Sequence, residues 1–192
     1  MNASQRFTSG EGGDERRARF DALYAEHQRS ILGYVLRRAE NAEDAADALA
    51  ETFLIAWRRL DEIPADDQRR LWLYGVARRV LANQRRGERR RLALTQRLRM
   101  ELMQLPARPA STGVLVGLGD AFKRLSEADR EILALEGWEG LDPAQIATVL
   151  GCSRNAARIR LHRARRRLAE HLALEQTGVN TAEARLLSGE AT

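Results

Sequence analysis

Much is scarce in this chain of 192 residues: one cysteine, one lysine, four prolines, three histidines, and 5% aromatic residues. No apolar run approaches the ~20 residues that span a bilayer, so a membrane protein is excluded. The lone Cys152 rules out an internal disulfide framework, and with His27, His162 and His171 scattered it cannot build a zinc site. Residues 1–13 are polar and Gly/Ser-rich, with no apolar stretch to act as a secretory signal. There is no Gly-rich phosphate loop and no Ser/His/Asp set, so neither an enzyme nor a bound cofactor or metal is expected. What is left is a small, soluble, intracellular, basic protein, with 32 basic against 27 acidic residues and a net charge of +5. Its length suits one ordinary domain or two small ones.

Of the 32 basic residues, 31 are arginine. A GC-rich genome accounts for that preference, but not for where the arginines fall. Between Glu40 and Asp67 nine acids face two bases, a net of −7. From Arg69 to Arg91 nine arginines face Glu88, a net of +8, and from Ser153 to Leu172 seven face Glu170, a net of +6. Basic blocks are the electrostatic footprint of nucleic acid, since a guanidinium fork matches phosphate geometry. Two such blocks flanking an acidic one predict three surfaces with different partners.

Apolar residues recur at helical spacing nearly throughout, and strand signals are absent. Phe20, Leu23, Tyr24, His27, Ile31, Val35 and Ala39 form one face of a first helix. Ala46, Leu49, Phe53, Trp57 and Leu60 make a second stripe, and Leu73, Val76, Ala77, Val80 and Leu81 a third, with Trp72 beside it. The segment from Asp61 to Gln68, holding Pro64 and several acids, reads as the loop between the second and third helices. After Arg91 the pattern weakens, and the stretch from Leu105 to Gly113, with two prolines, reads as a linker. The expected fold is therefore all-α: two small helical domains, 18–92 and 114–173, joined by a flexible linker at 93–113. Residues 1–17 are expected to be disordered and 174–192 to be a polar tail.

The second domain carries dense local signals. Ser126 with Asp129 three residues on is a variant capping box. Asp142, Pro143 and Gln145 place an acid at the N-cap, proline at the first helical position and glutamine at the third. Gly151 suits the left-handed residue that ends a helix, and Ser153 can cap the next. A short helix, a Gly-containing turn and a long basic helix make a helix-turn-helix. In the second of these helices Ala157, Leu161, Ala164 and Leu168 face inward, and Arg154, Arg158, Ile159, His162 and Arg163 lie on the other side. A recognition helix offers its first turns to base edges, so Arg158 and Arg163 are the leading DNA contacts. Arg165, Arg166 and Arg167 lie further along, where they touch the DNA backbone or remain solvated.

Both halves resemble bacterial RNA polymerase sigma factors of the extracytoplasmic function (ECF) group, which keep only a sigma-2 and a sigma-4 domain. The stretch Leu125–Leu133, followed by Ala144–Ser153 and Arg158–Arg165, resembles sigma-4. Ala45–Arg59 is similar to the region 2.2 helix that grips the polymerase clamp, and Trp72–Arg86 to regions 2.3 and 2.4, which melt and read the −10 element. The resemblance implies a specificity subunit that directs −35 and −10 recognition, strand opening and initiation. Its implied partners are core RNA polymerase (the beta-prime clamp and beta flap), promoter DNA and an anti-sigma factor. It would be cytoplasmic, and nucleoid-associated within the holoenzyme.

Carried over residue by residue, Asp47, Glu51, Leu54 and Arg58 would bind core polymerase. Trp72, Arg78, Arg79, Asn83, Arg86 and Arg90 would hold the −10 strand. The loop residues Asp61, Glu62, Ile63, Pro64, Asp66 and Gln68 would capture an extruded −10 base, and Ser153, Arg154, Arg158, Ile159, His162 and Arg163 would read the −35 element. There are departures. Arg79 stands where the family usually has Asn, Ala50 where it has Gln, Ala46 where it has Glu, Ile159 where a small polar residue is common and Ala156 where Thr is common. The rival reading is a stand-alone helix-turn-helix regulator of duplex operators, which gives the Asp47/Glu51 helix no role.

Overall fold

The computed structural model describes residues 8–100 and 116–187, with side chains over 13–88 and 119–174. The chain divides into two compact units, Met1–Gln104 and Leu105–Thr192. Every regular element among the described residues is helical.

The first unit is built from α1 (Thr8–Leu36), α2 (Ala42–Arg58), a 3-10 turn (Leu60–Glu62) and α3 (Gln68–Met100). α1 starts at Thr8, so residues 8–17, read from the sequence as part of a disordered segment, are helical; residues 1–7 lie outside the described residues. At the other end of α1, Arg38 donates to the Tyr34 carbonyl at 3.1 Å and Arg85 of α3 donates to the Arg38 carbonyl at 2.7 Å. The first bond satisfies a carbonyl that the helix end leaves without a partner, and the second ties α3 to the turn after α1. α2 opens on Asn41, whose side chain accepts from the Asp44 N–H at 2.8 Å. Its first turn carries Glu43 and Asp44 and its last Arg58, each matching the helix dipole.

The core of this unit follows the third stripe and part of the first: Leu23, Ile31, Val35, Leu73, Val76, Ala77, Val80 and Leu81 are buried, with Tyr34, Leu71 and Tyr74 added, while Tyr24 of the first stripe is exposed and Phe20 and Ala39 are half-buried. The second stripe needs correction. Ala46 is exposed and Leu49 half-buried, while Ala45, Ala48, Thr52, Phe53 and Ala56 are buried. α2 packs on α1 and α3 together, and small side chains let it approach both. Thr52 fits this seam because its hydroxyl donates to the Ala48 carbonyl at 2.6 Å.

The second unit contains α4 (Val116–Arg124), α5 (Glu127–Gly137), α6 (Pro143–Leu150) and α7 (Arg154–Leu187), with the first three packed on α7. Asp142 accepts from the Ala144 and Gln145 N–H groups at 2.6 and 3.0 Å, and Gln145 accepts from the Asp142 N–H at 3.0 Å, closing a full capping box. Gly151 ends α6 at φ 65, where a side chain would strain the backbone. At Ser126 the box is only half made. Its hydroxyl oxygen accepts from the Asp129 N–H at 3.1 Å, while its O–H donates to the Asp129 carboxylate at 2.8 Å.

α3 runs through residues 93–100, assigned from sequence to the linker, and α7 continues to Leu187 through much of the expected tail. The remaining linker residues 101–113 and tail residues 188–192 lie outside the described residues. Among the described residues, no helix is long and apolar enough to cross a membrane.

Candidate nucleic-acid interface

The face of α7 anticipated for DNA is displayed. Ser153 caps the helix through the Ala156 N–H at 3.2 Å. Ala157, Leu161 and Ala164 are buried, while Arg154, Arg158, His162 and Arg163 are exposed and Ile159 is 44% exposed. Asn155, exposed in the same first turn, belongs with this face; its position at the helix start could have flagged it. Cys152, in the turn before α7, is half-buried.

Two of the arginine triplet behind that face, Arg165 and Arg167, have a different role from the expected one. Arg167 donates to both carboxylate oxygens of Asp129 on α5, at 3.0 and 2.8 Å, and the Asp129 side chain is only 10% exposed. Arg165 pairs with Glu136 of α5, and Arg166 with Glu170 at 3.2 Å on its own helix. Arg165 and Arg167 thus tie α7 to α5. The Asp129 carboxylate takes both Arg167 and the Ser126 hydroxyl.

In the first unit the acidic edge lines a groove of about 700 Å³ between α2 and α3. Asp47, Ala50, Glu51, Leu54 and Ile55 form one wall, and Val80, Asn83 and Gln84 the other. Of the four residues assigned to polymerase, Asp47, Glu51 and Leu54 come together here, while Arg58 is exposed outside the groove. Asn83, assigned to the −10 strand, stands in the same groove as the acids, so two of the three anticipated surfaces adjoin. Its side-chain oxygen accepts from Arg86. Arg79 and Arg86 are exposed, Arg78 and Trp72 half-buried, and the Arg90 side chain lies outside the described residues.

The loop after α2 is less free than its sequence suggests. The Asp61 carboxylate accepts from Arg16 at 2.7 Å and from Arg19 at 3.1 Å, both on α1. The Arg16 hydrogen bond first, and then Arg19, hold this carboxyl below the usual carboxylate range. Glu62 is likewise held low by Arg59, whose guanidinium lies 6.0 Å from the Trp72 ring centroid. Ile63 is half-buried; Pro64, Asp66 and Gln68 are exposed, Gln68 being the first residue of α3. Asp66 sits at φ 53, the one non-glycine residue in the left-handed region among those described. An acidic loop would repel phosphate, but two of its four carboxylates are already neutralised by arginine. Sequence reasoning missed Arg16, Arg19 and Arg59. The first two are 45 and 42 positions from Asp61, so no local pattern announces them.

Two family models match this chain: Sigma-70 region 2 over residues 23–91 and Sigma-70, region 4 over residues 115–168. Each unit therefore carries one region of a sigma-70-type transcription initiation factor. The ECF RNA polymerase sigma factor SigL of Mycobacterium tuberculosis is 33% identical over 162 residues, covering 82% of this chain and 90% of that protein. RNA polymerase sigma-H factor of Pseudomonas aeruginosa is 30% identical over 165 residues, covering 80% of this chain and 84% of that protein. The chain belongs to the ECF RNA polymerase sigma factors. Among solved structures, the sigma factor RpoE in complex with the anti-sigma factor NepR from Bartonella quintana matches with a TM-score of 0.61. That match has 23% identity and covers 80% of this chain and 96% of the other, a likeness of fold.

Proposed function

We propose that this chain is the promoter-specificity subunit of a bacterial RNA polymerase, docking on the core enzyme through the α2 edge around Asp47, Glu51 and Leu54. The exposed face of α7, led by Arg158 and Arg163, enters the −35 major groove. Trp72, Arg79, Asn83 and Arg86, with the loop 61–68, hold the melted −10 strand. Extruding a base costs a few kcal/mol, so the free protein binds duplex weakly and relies on polymerase to support opening. It works in the cytoplasm as an initiation factor, and the chemistry of RNA synthesis stays with the core enzyme. An anti-sigma factor is its proposed regulator, by analogy with the NepR-bound neighbour.

The observation that carries this reading is the sorting of the α7 arginines. Those of the triplet are taken up by Asp129, Glu136 and Glu170. Arg158 and Arg163 are exposed with no ion pair among the described residues, leaving their forks available to guanine or phosphate. The test is run-off transcription with purified core polymerase on a promoter library. Transcripts starting a fixed distance below a shared −10/−35 pair are expected. No directed initiation, together with tight salt-sensitive duplex binding by the protein alone, would replace this reading with the stand-alone regulator.

A further inference from the structure

The loop 61–68 is anchored by residues upstream of the region 2 match, which begins at residue 23. Arg16 makes a two-way tie: one nitrogen donates to Asp61 at 2.7 Å and another to the Trp57 carbonyl, also at 2.7 Å. Its guanidinium lies 5.2 Å from the Trp57 ring centroid. Arg19 takes the other Asp61 oxygen at 3.1 Å, and it also lines a small cavity of about 190 Å³ with Leu23, Leu60 and Ile63. One carboxylate is thus gripped by two guanidinium groups, and one of those also holds the end of α2. The segment from Ile63 to Asp67 must leave this fixed point and reach α3 at Gln68, turning through the left-handed Asp66.

Asp61 is 67% exposed and Arg16 32% exposed. Exposed ion pairs contribute little to global stability, so the value of this one is geometric. It fixes where a short loop departs. We propose that Arg16 and Arg19 are positioning residues for the −10 loop, setting how strongly the protein discriminates the extruded base. The proposal rests on the reading of that loop as the −10 base reader.

The test uses holoenzyme assembled from the full chain and core polymerase, on a promoter selected by the unsubstituted protein. The captured −10 base is varied through all four bases, and the ratio of initiation at the best to the worst is read. Arg16→Ala is expected to lower that ratio by up to about fivefold, the bias that exposed contacts can impose, with Arg19→Ala doing less. Discrimination at −35 and competition for core polymerase should stay within about twofold, the additivity expected of separated sites. Arg16→Lys, which keeps one cation and donor but cannot span Asp61 and the Trp57 carbonyl as a fork does, should fall between the two ratios, which keeps the test usable if Arg16→Ala folds poorly. An unchanged ratio in Arg16→Ala, or −10 and −35 discrimination falling together, would overturn the proposal. Failure of the unsubstituted protein to initiate at any shared −10/−35 pair is a different result, which overturns the sigma function itself.

Discussion

The turn of the helix-turn-helix and the loop after α2 are both short connections leading into a basic helix, yet they are fixed by largely opposite means. The α6–α7 turn is specified by its own neighbours: the Asp142 and Gln145 box, Pro143, the left-handed Gly151 and the Ser153 cap all act within a few positions. The loop at 61–68 keeps one near tie, Arg59 to Glu62, but its Asp61 is held from α1, more than forty residues away in sequence. A locally specified turn presents a rigid helix whatever its surroundings. A loop held by distant, exposed ion pairs can be retuned by changing its anchor without rebuilding the fold.

The largest effect that would sharpen this contrast is on the α7 face. Replacing Arg158 and Arg163 by alanine should cost on the order of 10–100-fold in −35-dependent initiation for each base-reading arginine removed, with the melting temperature unchanged. If the melting temperature falls as well, these residues support the fold and the face is not free. Next is the groove. Asp47→Arg combined with Glu51→Arg should weaken core-polymerase binding by on the order of tenfold at low salt, less at high salt. A competition assay against the unsubstituted protein measures it, and binding insensitive to the reversal would move the docking surface elsewhere.

Stability changes come next in size. Arg167→Ala strips a mostly buried carboxylate of its cation and should destabilise the second unit by about 1–3 kcal/mol. Arg166→Ala should stay within about 0.5 kcal/mol, as exposed pairs do. Equal effects in thermal melts would dissolve the distinction between a structural and a solvated arginine. Gly151→Ala forces a side chain into the left-handed region and should cost about 1–2 kcal/mol, a direct probe of how locally the turn is fixed.

The smallest is a pH effect in the first unit. His27 is 6% exposed and its Nε2 has no hydrogen-bond partner, lying 3.6 Å from a Glu26 oxygen. Burial, against the pull of Glu26 and helped by Arg69 and Arg70, holds the imidazole below its usual 6.5. The unfolded chain then binds this proton more tightly than the folded one. Stability should be full above pH 6.5 and decline as pH falls from there toward the lowered folded value. His27→Leu should flatten that slope in urea melts, and an unaltered slope would assign the acid sensitivity to other groups.

The same contrast between near and distant determinants decides what was legible in the sequence. Helix caps and the two faces of α7 were readable because their determinants lie within one or two turns. The α2 stripe was not: reading the larger Leu49 as core and Ala46 beside it missed a seam of Ala45, Ala48 and Ala56, because packing on two sides selects small residues over hydrophobic ones. The triplet Arg165–Arg167 reads as a plain basic run, and only the placement of Asp129 and Glu136 on the facing helix separates its members. Asp61 looks unpaired in sequence because its partners come from α1, whereas the Arg59–Glu62 pair lies within three residues and was open to reading.

The alanine seam has one more consequence. Ala45, Ala48 and Ala56 have no exposed surface, and no partner will ever touch them. They nonetheless set the gauge of the channel between Asp47 and Asn83, because any longer side chain there must be housed by α2 moving outward. Its width is thus inherited from atoms beneath it, and substitutions in the seam would act on both rims at once while leaving every rim residue in place.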